Sequence, residues 1–127
     1  MSNADSHLEV AKRFLNALNN NDGDEVRAVY HPDALIWHNF QADGYQSIEE
    51  NVKTLNWMHR KLPKLSYDIV RLESLADGYL QQHVLRGEME DGTAVELYAC
   101  AICTVKDGRI HKLEEYLDPS QVAALQS

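Results

Sequence analysis

Long apolar runs, extended basic clusters and glycine-rich phosphate motifs are all missing from this sequence, and each absence removes a class of function. No stretch approaches the ~20 apolar residues that a membrane-spanning helix needs. The opening MSNADSHLEV lacks the basic start and apolar centre of a secretory signal, so the cytoplasm is the expected location. Lys and Arg number 12 against 20 Asp and Glu, which leaves a net charge of -8. Nucleic acids and anionic membranes recruit clustered positive charge, and Arg60, Lys61 and Lys64 make too short a cluster, so neither partner is expected. Without G-x-G-x-x-G or a phosphate loop, no nucleotide cofactor is expected. His7, His31, His59 and His111 read as surface or loop residues outside any H-x-x-x-H spacing with an acidic partner, and no metal is expected. Cysteine is scarce as well. Cys100 and Cys103 sit in a strand-like segment, where residues three apart face opposite ways, so a disulfide or shared metal is not expected. Their CAIC spacing lacks the helix N-terminus that a redox pair uses, and both read as small core residues. Serines are too few to assemble a Ser-His-Asp triad.

What is present describes one soluble domain. A chain of 127 residues buries enough surface to stand without staples, and its composition, 44% hydrophobic and 25% charged, is that of a packed globular protein. Leu8, Ala11, Phe14, Leu15 and Leu18 recur at helical spacing, with Asp5 or Ser6 as the expected N-cap. A second helix is predicted over 24–30, stopped by His31-Pro32-Asp33, and a first strand over 34–40. Ser47-x-x-Glu50 is a capping box opening a third helix, with Ile48, Val52, Leu55, Met58 and Leu62 on its apolar face and Pro63 ending it. Trp57 and Met58 read as core. Segments 67–75, 79–89, 93–105 and 109–117 are strand-like and separated by Asp77-Gly78, Asp91-Gly92 and Asp107-Gly108, a strong hairpin signal. Asp118 as N-cap and Pro119 at the first helical position open a short last helix expected to reach Leu125. The predicted class is α+β: a cone-shaped barrel in which a curved, mainly antiparallel sheet wraps around N-terminal helices and leaves a cavity for a small organic molecule.

The element order, together with AKRFLNALNNND, HPDALIWHN and the closing DGRIHKLEEYLD, resembles the nuclear transport factor 2-like superfamily, SnoaL-like and ketosteroid-isomerase-like members included, across nearly the whole chain. The resemblance implies the cystatin-like cone-shaped fold and leaves the chemistry open, since this scaffold hosts isomerases, dehydratases, epoxide hydrolases, polyketide cyclases and non-catalytic domains. Set against ketosteroid isomerases, His38 stands at the carboxylate base, Phe14 at the oxyanion tyrosine and Cys100 at the oxyanion aspartate, so that mechanism is not retained. Set against limonene-epoxide hydrolases, Glu115 and His83 replace the two aspartates and Gln81 the arginine. Ile36 and His38 then stand at the first-strand pair, unless a one-residue bulge turns Trp37 and Asn39 inward.

Both comparisons put one side of each strand on the cavity. Alternation then groups Leu113, Glu115 and Leu117 on one inner face and Gln81, His83 and Leu85 on another. His38, His83 and Glu115 are thus the expected catalytic group: two imidazoles move protons on a small apolar carbonyl compound, and the carboxylate orients them. Phe14, Ile36, Trp37, Asn39, Gln81, Tyr98, Cys100, Leu113 and Leu117 are the expected substrate contacts. The expected activity is a cofactor-free isomerase, dehydratase or cyclase; epoxide-type water activation and a non-catalytic ligand-binding or dimerisation domain are the alternatives. The resemblance also implies a homodimer, to which Tyr98, Ile102 and Tyr116 could contribute.

Overall fold

Helix α1 (Asn3–Asn19) forms where the helical spacing predicts and buries Val10, Ala11, Phe14, Ala17 and Leu18 against the sheet. Its start differs from expectation: the helix is already under way at Asn3, and Asp5 lies in its first turn, where a carboxylate favours the positive end of the helix dipole. His7, expected at the surface, is buried on the same face, with its Nδ1 3.4 Å from Ser74 Oγ. The computed structural model describes residues 3–40, 44–123 and 125.

Asp22 caps α2 (Gly23–Val29) by accepting from the Glu25 amide at 3.1 Å. The next residue, Tyr30, is already extended and begins β1 (Tyr30–His38), so the predicted helix end and strand start both shift. His31-Pro32-Asp33 is therefore not a break between elements but an irregularity inside the strand, between Tyr30 and Leu35. Proline is tolerated because β1 is an edge strand, where a missing N–H costs no ladder bond.

The capping box forms as predicted: Ser47 Oγ accepts from the Glu50 amide at 3.2 Å, and Glu50 accepts from the Ser47 amide at 3.1 Å. It opens α3 (Ile48–Lys61), which Leu62 caps just before Pro63. His59, also expected at the surface, is half-buried and donates from Nε2 to the Leu18 carbonyl at 2.8 Å, tying α3 to α1. His31 and His111 are half-buried too, stacked edge to face at 5.1 Å.

The four strands β2 (Ser66–Leu75), β3 (Gly78–Glu88), β4 (Ala94–Lys106) and β5 (Arg109–Leu117) form the expected antiparallel meander, and β1 pairs parallel to β5. The sheet order is β1-β5-β4-β3-β2. Each Asp-Gly pair serves its turn differently. Asp107 and Gly108 both adopt positive φ, 54° and 72°, the requirement of a tight primed hairpin turn. Gly78 instead lies inside β3, where a Cβ would fall 1.8 Å from the carbonyl oxygen of Cys103; only glycine lets β4 approach this closely. After β5, Asp118 accepts from the Ser120 amide at 2.9 Å and α4 (Pro119–Ala123) follows. Its expected reach to Leu125 crosses position 124, which lies outside the described residues.

Helix α1 lies across β2 and β3, while α2 and α3 lie toward β1. The helices thus cover one face of a mostly antiparallel sheet, and a cavity of about 420 Å³ remains between them. No helix among the described residues is long and apolar enough to cross a membrane.

Candidate active site

Strand alternation decides what the cavity sees. Tyr79, Gln81, His83 and Leu85 face inward from β3; Leu97, Ala99, Ala101 and Cys103 from β4; Leu113, Glu115 and Leu117 from β5. The register then does the assembly: Ala101 pairs with both Gln81 and Glu115, while His38 pairs directly with Glu115. Three strands, β1, β3 and β5, therefore deliver His38, Glu115, Gln81 and His83 to one patch of wall, with Ala101 of β4 between them.

Glu115 stands between the two imidazoles. His38 Nε2 lies 3.6 Å from its Oε1 and His83 Nε2 lies 3.7 Å from its Oε2. On the far side of its ring, His83 Nδ1 accepts from the Gln81 amide nitrogen at 3.0 Å. An amide nitrogen can only donate, so His83 carries its proton on Nε2 and presents that proton to Glu115. Burial pushes the Glu115 carboxyl up from 4.5 to about 7 and the His83 imidazole down from 6.5 to about 4. Both shifts have one cause: an apolar enclosure disfavours whichever form is charged. Between these values the pair is neutral on both sides, and above about 7 the single charge sits on Glu115.

The rest of the wall is mainly apolar and aromatic. Phe14, Leu18, Leu55, Trp57 and Met58 cover it from the helices; Trp57 and Met58 pack against the core as expected and line the cavity as well. Three tyrosines that the sequence reading left out also line it. Tyr30 donates to Asn51 Oδ1 at 2.8 Å, Tyr79 bonds the Cys103 thiol, and Tyr67 packs its ring on His83 at 5.6 Å between centroids. Tyr79 was legible from the sequence, two residues before Gln81 on the same face. Tyr67 was not, because the β2 register passes through an irregularity between Ile69 and Arg71.

Of the residues expected at the substrate, Phe14, Gln81, Leu113 and Leu117 line the cavity together with His38, His83 and Glu115. Five others lie elsewhere. Ile36 shares the inner side with His38 but is fully buried in packed core. Trp37 lies on the outer face, edge to face with Tyr116 at 5.2 Å. Asn39 spends its side chain on the backbone of Leu117, donating to the carbonyl and accepting from the amide, both at 3.0 Å. The bulge that would have turned Trp37 and Asn39 inward sits earlier, before Leu35, and leaves His38 facing the cavity. Tyr98 is 57% exposed on the outer face, its hydroxyl bonded to Glu96. Cys100 is half-buried on that same outer side, between Gln82 and Tyr116; its neighbours Ala99 and Ala101 face the cavity instead. A strand repeats every two residues, so matching a distant motif one residue out reverses the face. Among the described residues no group of three His, Cys, Asp or Glu side chains could hold a metal ion.

Comparison with known proteins agrees with this architecture. IdmH, a candidate polyketide cyclase from Streptomyces antibioticus, superposes with a TM-score of 0.79 at 18% identity, covering 94% of this chain and 96% of that one. An epoxide hydrolase of M. tuberculosis, similar to limonene-epoxide hydrolases, gives 0.77 at 21% identity, over 98% and 91%. PrhC from Penicillium brasilianum gives 0.86 at 13%, over 98% and 87%. At these identities the likeness is one of fold, the nuclear transport factor 2-like fold. Among curated proteins nothing matches the sequence. The family model of the SnoaL-like domain matches residues 11–113, most of the chain, and this protein belongs to that family.

Proposed function

We propose that this chain is an acid–base enzyme of the isomerase, dehydratase or cyclase type, acting on a small, largely apolar carbonyl compound. The observation that carries the reading is Glu115: a carboxyl with a pKa of about 7, set in the wall of an apolar cavity with an imidazole on either side. A general base is most effective when its pKa lies near the working pH. Glu115 meets that condition and His83, at about 4, does not. The roles expected from the sequence are therefore exchanged: Glu115 moves the proton, and the histidines hold and solvate it. His83 offers its Nε2–H to the carboxylate, which stabilises the ionised base without becoming charged. The cavity, about 420 Å³, is in the range of ordinary small-molecule sites, and its wall favours an apolar body.

Water activation on an epoxide is the less favoured chemistry, because Asn39, the residue that would help to hold water, is engaged with the backbone of β5. The outer face, where Tyr98 and Tyr116 stand 57% and 47% exposed beside Trp37, is where a second copy would pack. Sedimentation of the purified chain is expected to give a dimer and that of Tyr116→Lys a monomer; two monomers would remove the homodimer from the proposal.

The reaction class is tested in heavy water. A panel of enolisable ketones and diketones is incubated with the enzyme, and deuterium uptake at the α-carbon is followed by NMR. Enzyme-dependent exchange is expected, and its rate rises with pH through a midpoint near 7, because the base must lose its proton first. Ketones that bind without exchange or turnover would make the cavity a binding site and sink the enzymatic reading.

A further inference from the structure

Every tyrosine on the cavity wall faces the same physical demand, that a phenol removed from water needs a hydrogen-bond partner. Tyr30 meets it with Asn51 and Tyr79 with Cys103. Tyr67 does not. It is only 8% exposed, its backbone amide is held by Asn19 Oδ1 at 2.8 Å, and its hydroxyl makes no hydrogen bond among the described residues. No fully shielded polar side-chain atom in the described part of the protein lacks a partner, so this hydroxyl must touch open space. Tyr67 lines the cavity, which is where a ligand could meet that hydroxyl. Its position is fixed by β2 pairing with β3, where Tyr67 stands opposite Leu85, and by its ring, which lies on His83, the neighbour of Glu115.

We propose that Tyr67 is a catalytic hydrogen-bond donor, and that the substrate places a carbonyl oxygen on its hydroxyl while presenting the adjacent C–H to Glu115. This rests on the acid–base reading and gives it its missing electrophile. The Glu115 carboxylate takes the α-proton. The C–H electron pair becomes the new C=C bond, and the carbonyl π pair moves to oxygen. The negative charge thus leaves Glu115 for the enolate oxygen, and the Tyr67 O–H donates to it there. Burial and the nearby Glu115 both raise the pKa of Tyr67, so it remains a phenol and stays a donor throughout. A donor aimed at the atom where charge develops stabilises the transition state more than the ground state. The substrate class narrows accordingly to compounds whose oxygen acceptor is one bond from the acidic carbon.

The test uses two isosteric probes and needs no knowledge of the natural substrate. Binding of acetophenone and α-methylstyrene is titrated below pH 7, where Glu115 is protonated, in the wild type, Tyr67→Phe and Leu85→Met. The carbonyl oxygen of acetophenone can accept from Tyr67, whereas α-methylstyrene has a methylene group in its place. Tyr67→Phe is expected to weaken acetophenone about tenfold and α-methylstyrene hardly at all, which a general disturbance of the cavity would not do. Leu85→Met, a packing change on the facing strand, should move both probes equally. On any ketone that exchanges, Tyr67→Phe is expected to lower the rate ~10²-fold with little change in KM. Equal effects on both probes, or none on either, would overturn the proposal. Selective loss of acetophenone without any exchange in the wild type would leave the donor site standing and remove the acid–base reading instead.

Discussion

Glu115→Gln is expected to reduce proton abstraction by ~10²-fold or more while leaving ligand affinity nearly unchanged. Glutamine has the shape of glutamate and keeps its oxygen beside His83, so the cavity keeps its form; what it loses is the ability to take a proton. The ascending limb near pH 7 should vanish with it, since that limb belongs to the carboxyl group. The histidines give the contrasting result. His83→Gln should slow exchange by weakening support for the ionised base, yet keep a pH-dependent limb. If instead the limb survives Glu115→Gln and disappears with His38→Gln or His83→Gln, the proton is carried by an imidazole and Glu115 merely orients it. Measurement of exchange rate against pH for the three variants decides between these assignments.

The same substitution should stabilise the protein above neutral pH by up to ~3 kcal/mol, because burial moves the carboxyl from 4.5 to about 7 and each tenfold change in proton affinity is worth ~1.4 kcal/mol. The sign follows from proton counting. Between 4.5 and about 7 the folded protein holds a proton on Glu115 that the unfolded chain has released, so this contribution is full below 4.5 and lost as pH rises through about 7. Glutamine never ionises and keeps it. His83 works in the opposite direction. Its folded pKa is lowered from 6.5 to about 4, so the unfolded chain binds the extra proton there, and stability rises with pH across that interval. From 4.5 to 6.5 the two slopes offset each other in the wild type. Glu115→Gln should therefore expose the His83 slope, and His83→Gln the Glu115 slope. Urea denaturation at a series of pH values reads both; two variants with parallel, flat profiles would show that the carboxyl and imidazole are not desolvated as the geometry requires.

Activity and stability are opposed at this one residue for a single physical reason. Enclosing a carboxyl in an apolar cavity costs folding free energy when it ionises, and that same cost makes it a stronger base near neutrality. The aromatic and aliphatic wall provided by Phe14, Leu18, Trp57, Met58 and Tyr67 does both at once.

The elements and the polarity of most faces were legible in the order of residues alone. Helical spacing in α1, the Ser47–Glu50 box and three Asp-Gly turns are local signals, read within a few residues of where they act. Alternation along β3 and β5 was enough to put Gln81 and His83, and Leu113 and Glu115, on common faces, because a regular strand carries its parity without reference to its neighbours. Where that parity had to be carried across an irregularity or borrowed from a distant motif, the sequence was silent. The β1 disturbance at His31-Pro32-Asp33 decided that His38 rather than Trp37 or Asn39 faces inward, and a one-residue choice on β4 put Ala99 and Ala101 rather than Cys100 on the cavity. Only the tertiary structure could say which imidazole nitrogen carries the proton, since that depends on Gln81 lying beside His83. Only it could reverse the roles of Glu115 and His83, because a pKa displaced by burial is a property of the enclosure that helices and sheet make together, and no single residue in the sequence contains it.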